Sequence, residues 1–137
     1  MRRTITRLVN LYKKKAGVTI PVHINFVHRH IHPPMVTHIT LDGLTGKPLH
    51  AVISIDPDHF ERTEMVSAKS TDIYLRYAIS HEISHIKDVE RLGSKSFKQS
   101  RKKLEAYADR EAFKLTNHGG RKTQAAIDRL QKGFRNR

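Results

Sequence analysis

Apolar side chains recur along this chain with two periods, and the switches between them mark its elements. Ile5, Leu8, Val9 and Tyr12 share one side of an otherwise basic helix over residues 3–16, which Gly17 ends. From residue 18 to 26 or 27 the pattern becomes that of a strand, with Pro21 suited to a sheet edge, and Pro33-Pro34 then breaks the chain. Two further strands, over residues 36–41 and 49–55, flank a loop rich in turn formers, Asp42-Gly43-Leu44-Thr45-Gly46-Lys47-Pro48. Asp56-Pro57-Asp58 closes this sheet, and a short irregular or helical piece follows.

A long helix comes next, capped by Thr71 or Asp72 and ended by Gly93. Leu75, Ile79, Ile83, Ile86 and the stem of Glu90 form its buried stripe, while Tyr74, Tyr77, His81, Ser84, His85 and Asp88 define a second, polar face. After Gly93-Ser94-Lys95, a capping box at Ser96 and Gln99 opens another helix that runs through residues 103–115 to Gly119-Gly120. Its inward stripe is Leu104, Ala108, Ala112 and Leu115, and the short turn makes it an antiparallel neighbour of the first. A last helix covers residues 122–134. The order predicts an α+β fold: one domain over residues 1–137, with a small mixed sheet of about three strands packed against helices.

The polar face of the long helix carries the chemistry. His81-Glu82-Ile83-Ser84-His85 is an H-E-x-x-H sequence, and two histidines four apart lie about one turn from each other, so both imidazoles can reach one metal ion with Glu82 beside them. A zinc site needs a third protein ligand. Glu90 lies about 140° around the helix from His85 and cannot supply it. Asp88 is a second choice, and the better candidate is Glu105 on the next helix, one turn before Asp109 on the same face.

Tyr77-Ala78-Ile79-Ser80-His81-Glu82-Ile83-Ser84-His85 followed by Glu105-x-x-Ala108-Asp109-x-x-Ala112 resembles the gluzincin zinc metallopeptidases, in particular the minigluzincins and the ImmA/IrrE family. The resemblance covers about residues 71–116 and implies a zincin-like core. It makes His81, His85 and Glu105 ligands of one zinc ion, Glu82 the general base, and Asp109 an acceptor for the free N–H of a ligand histidine. The implied activity is that of a zinc-dependent endopeptidase acting on a protein or peptide substrate. Zinc acidifies water to a pKa of about 7, Glu82 takes its proton, and Glu82 returns that proton to the leaving amine. Tyr74, Tyr77, Tyr107 and His118 are candidates to donate to the oxyanion. The chain departs from its relatives at Ser84, where they carry glycine, and at Glu111, where an aromatic is frequent. Asp88 and Arg91 occupy positions that the metzincin extension would need.

In zincins a sheet edge strand pairs with extended substrate, a role that residues 51–55 could fill as readily as that of a core strand. His28, His30 and His32 alternate along one run and invite a second metal site, without a carboxylate companion. After Asn117-His118-Gly119-Gly120 the final helix could swing toward the cleft, with His118 acting as an oxyanion donor or the tail covering the zinc and keeping the protein latent.

The remaining composition narrows the setting. There is no cysteine, so disulfides and thiolate metal sites are excluded. No run of apolar residues reaches membrane-spanning length and no signal peptide follows Met1, which predicts a cytoplasmic protein; the resemblance extends to a phage or viral origin. With 26 Lys and Arg against 13 Asp and Glu the formal charge is +13, which favours a nucleic acid, bound nonspecifically, or an acidic partner. The alternative to an enzyme is a basic nucleic-acid-binding, virion or regulatory protein on the same fold with a structural or vestigial zinc site.

Overall fold

The computed structural model of the chain describes residues 1–28 and 33–135. Helix α1 (Arg2–Ala16) buries Ile5, Leu8, Val9 and Tyr12, and Gly17 ends it in the left-handed region at φ 76°. Strands β1 (Val22–Phe26), β2 (Met35–Leu41) and β3 (Pro48–Ile55) form one mixed sheet. Its order is β1-β3-β2, with β1 parallel and β2 antiparallel to the central strand. β1 is shorter than the sequence pattern suggests because the preceding backbone is committed elsewhere. The Val18 N–H donates to the Lys13 carbonyl, the Thr19 N–H to the Glu90 carboxylate, and Pro21 has none to give. β1 is an edge strand, as Pro21 suggests, whereas residues 51–55 belong to the centre of the sheet and cannot pair with a substrate.

The piece after the sheet is a helix, α2 (Pro57–Val66), with Asp56 accepting from the Asp58 N–H at its start and Pro57 in the first turn. Helix α3 (Ala68–Leu92) starts earlier than expected, because Ser67 and not Thr71 or Asp72 is its cap. Thr71 is buried instead and donates to the Thr63 hydroxyl at 2.8 Å, tying α3 to α2. A 3-10 turn (Gly93–Lys98) leads to α4 (Arg101–Thr116), capped by Ser100, and Asn117 in the left-handed region ends that helix before α5 (Gly120–Arg135). Ser96 and Gln99 form no capping box; both turn back onto Asp88.

The core lies between one face of the sheet and the helices. Ala51, Ile53 and Ile55 of β3 pack with Ile5, Leu8 and Val9 of α1 and with Leu75, Ile79, Ile83 and Ile86 of α3. Each large aliphatic side chain buried there contributes about 1.5–3 kcal/mol relative to exposure. The stripe Tyr77, His81, Ser84 and Asp88 faces α4 rather than open solvent, and the small side chains Ser84, Ala108 and Ala112 are all buried where the two helices run together. Ser84 and Asp88, members of the polar face, are thus buried packing positions. α5 lies along α2 and α3 through Ala126 and Leu130. It comes so close that a Cβ on Gly133 would stand 2.2 Å from a Val66 methyl. None of the helices is long and apolar enough to cross a membrane, among the described residues.

Candidate metal centre

His81 and His85 project from the middle of α3 toward Glu105, which α4 brings opposite them. The His81 Nε2 lies 3.1 Å from His85 Nε2 and 2.9 Å from Glu105 Oε2, and His85 Nε2 lies 3.4 Å from Glu105 Oε1. Among the described residues this is the one group of three or more such side chains with its ligand atoms all within 4.8 Å of each other. It brings together the predicted ligands.

On its other side, His81 donates Nδ1–H to Asp109 Oδ1 at 3.0 Å. This bond leaves the lone pair of His81 Nε2 pointing into the space shared with His85 and Glu105. Three electron-pair donors therefore converge there. Zinc–nitrogen bonds of about 2.0–2.1 Å in a tetrahedron put neighbouring ligand atoms about 3.3 Å apart, and the three separations fall around that figure. The residues fit a metal ion.

Asp109 also accepts from the Tyr77 hydroxyl at 2.5 Å, and the Tyr77 ring stacks on Phe113 of α4 with centroids 5.7 Å apart. Burial and the adjacent carboxylate hold this phenol well above its ordinary pKa, so it stays a donor. Its proton is already given to Asp109, which makes Tyr77 part of the support of His81. Tyr74 borders the centre beside Pro34, although its ring is packed on Phe60. Tyr107 lies under the Arg91 guanidinium, 4.9 Å from its ring, toward the far end of α3. His118 sits near Asp72, Arg76 and Lys122, beside the part of α3 that precedes His81 by one to three turns, and is not brought to the centre.

Glu82 stands beside the histidines where α3 meets β2, and it shares one cleft with Glu105. Its Oε2 accepts from the Thr37 hydroxyl of β2 at 2.7 Å. Burial raises the Glu82 carboxyl above the ordinary carboxylate range, opposed by the Thr37 hydrogen bond and by His81. Two clefts flank it. One, of about 320 Å³, runs between Thr37, His38 and Ile39 of β2 and Phe97 and Leu104 beyond the turn; the other, of about 220 Å³, lies between Pro34, Met35 and Glu105. A larger space of about 550 Å³ lies around Lys47 and Ser94 and contains none of these groups. The strand along the cleft is β2, an edge strand with one side unpaired among the described residues, and not residues 51–55.

The sequence reading missed Thr37. Its signal was there: Met35, Thr37, Ile39 and Leu41 share one face of β2, and Thr37 is the only polar member. Asp88 is no ligand; it is buried and accepts from Ser96, Gln99 and Arg91. Glu90 accepts from the Thr19 N–H and hydroxyl, so its carboxylate is a tether for the chain between α1 and β1. Of the histidine run, His28 lies against Asp58, and residues 29–32 fall outside the described part of the chain. No residue of α5 lines either cleft. Neither protein-family models nor curated proteins nor solved structures match the chain.

Proposed function

We propose that this protein is a zinc-dependent peptidase of gluzincin type, with His81, His85 and Glu105 holding one zinc ion and Glu82 acting as the base. The observation that carries this reading is the division of roles around His81. Three donor atoms converge on one side of the H-E-x-x-H turn, while Glu82 is held apart from them by Thr37 at the mouth of a cleft bordered by an unpaired strand edge. A metal that served structure alone would need no separate buried carboxylate beside an open cleft.

Zinc, when bound, supplies Lewis-acid chemistry, lowering the pKa of water to about 7 and polarising a peptide carbonyl. The chain supplies the rest. Asp109 fixes His81 with its Nε2 lone pair outward, and Tyr77 fixes Asp109. The free edge of β2 offers N–H and C=O groups that align an extended peptide beside Glu82. Glu82, made more basic by burial than an exposed carboxylate, takes a proton from the attacking water and passes it to the departing amine. Thr37 bonds one of its oxygens and leaves the other for that transfer.

Glu82→Gln tests the assignment, since it keeps size and burial and removes the base. Zinc content by metal analysis should stay at one per chain while peptide hydrolysis falls at least a hundredfold. Unchanged behaviour of this variant in every assay would instead favour a structural zinc in a binding protein.

A further inference from the structure

We propose that the cleft takes an acidic polypeptide, whose carboxylates are received by Lys95, Lys98 and Arg101 beside the cleft wall formed by Ser96, Phe97 and Leu104. This inference rests on the peptidase reading and gives its substrate a chemical class.

Charge is distributed unevenly around the cleft. The 3-10 turn and the first turn of α4 carry Lys95, Lys98, Arg101, Lys102 and Lys103, with no carboxylate between Gly93 and Glu105. All of these cations are exposed, and none is paired with a carboxylate; the only Lys or Arg so paired among the described residues are Arg76, Arg91 and Lys114. The opposite wall is β2, and the first 41 residues of the chain contain no Asp or Glu. Among the described residues the only carboxylates lining the two clefts are Glu82 and Glu105, both committed to the centre; Lys95 also borders the neighbouring space lined by Glu90, whose carboxylate accepts from Thr19. A substrate with acidic side chains on either side of its scissile bond therefore meets cations with no competing anion, whereas a basic one is repelled.

The turn is also held in place. Asp88, almost wholly buried, accepts from the Ser96 hydroxyl at 2.9 Å and the Gln99 amide at 3.0 Å, so Lys95, Phe97 and Lys98 project from a tethered backbone. Phe97 is 55% exposed at the cleft wall, an uncovered ring between cations. Nucleic acid would also answer the charge. It lacks the alternating N–H and C=O groups that the free edge of β2 can pair with, and a polypeptide has them.

The test uses the zinc-loaded full chain carrying Glu82→Gln, so that bound peptide is not cut, and fluorescence anisotropy of labelled peptides. One peptide carries Glu on both sides of an apolar centre, and its counterpart carries Gln. The acidic peptide should bind about tenfold more tightly at low salt, as expected of several rim charges acting together. Adding K95Q, K98Q and R101Q should remove that preference. Adding R3Q, R7Q and K14Q, which removes the same charge from α1, a helix lining neither cleft, should keep it. Equal affinity for the two peptides overturns the proposal, as does equal loss in both triple variants. So does a single-stranded oligonucleotide that binds through Lys95, Lys98 and Arg101 and displaces the peptide. Cleavage by the native protein separates the two readings. Hydrolysis without acidic preference removes this inference and leaves the peptidase; acidic preference in binding with no hydrolysis does the reverse.

Discussion

Asp88 is the carboxylate on which the turn beside the cleft depends, and replacing it should destabilise the protein in a graded way. It is 1% exposed, with one oxygen accepting from Ser96 and Gln99 and the other from Arg91. Asp88→Ala leaves the Ser96 hydroxyl, itself 1% exposed, without an acceptor, a loss of about 1–3 kcal/mol for an unsatisfied buried group. The half-buried Gln99 amide adds about 0.5–1.5 kcal/mol, and the Arg91 contact, at the solvent edge, about 0–1 kcal/mol. Together these give roughly 1.5–5.5 kcal/mol. Asp88→Asn keeps an oxygen for Ser96 and Gln99 and turns its amide toward Arg91, so it should lose only about 1 kcal/mol. Urea unfolding monitored by circular dichroism measures both, with the denaturant slope unchanged if only the native state is affected. A loss for Asp88→Ala below about 0.5 kcal/mol would refute the reasoning, because buried donors cannot lose a shared acceptor at so small a penalty. Equal losses for Ala and Asn would refute the assignment of the two oxygens.

The remaining predictions concern the centre and the α2–α5 contact. Glu105→Ala should abolish stoichiometric zinc in metal analysis, and Asp109→Asn should weaken zinc about 10- to 100-fold in competition with a chelator while leaving all three ligands in place. Thr37→Val should lower kcat about tenfold at unchanged zinc content, because Glu82 loses the bond that orients it; an unaltered kcat would show that the hydroxyl is incidental. Gly133→Ala should destabilise by about 1–3 kcal/mol through its collision with Val66, and the Gly133→Ala, Val66→Ala pair should recover part of that loss in a double-mutant cycle.

The sequence made the helices and the convergence of His81, His85 and Glu105 readable for the same reason. Ile79, Ile83 and Ile86 against His81 and His85 is a local pattern with one period, and Glu105 follows after a turn too short to lead elsewhere. Position along a helix does not, however, say which neighbour a polar side chain meets. Ser84 and Asp88 share a stripe with His81, and only the approach of α4 decides that they are buried while His81 borders a cleft. The sheet order was less legible still. β3 enters between β1 and β2, a choice made by contacts across the chain, so the pattern of residues 51–55 suited a central strand and an edge strand equally. Cap positions slipped by a few residues where several Ser, Thr and Asp stood together, as at Ser67, Thr71 and Asp72.

The centre is assembled from two kinds of chain neighbourhood. Its ligands lie within one helix–turn–helix, from His81 to Glu105, which can close as a local hairpin. The seat of Glu82 reaches 45 residues back to Thr37, on a strand whose one partner among the described residues is β3. β2 and β3 are themselves a local hairpin, but Thr37 meets Glu82 only when that hairpin docks on α3, a contact of longer sequence separation than those within the helix pair and therefore slower to form. On the proposed reading, capture of the metal and placement of Glu82 are consequently separable events in folding. Damage to the sheet should yield molecules that carry a full complement of zinc and do no chemistry, and zinc content alone is no measure of how much of a preparation is competent.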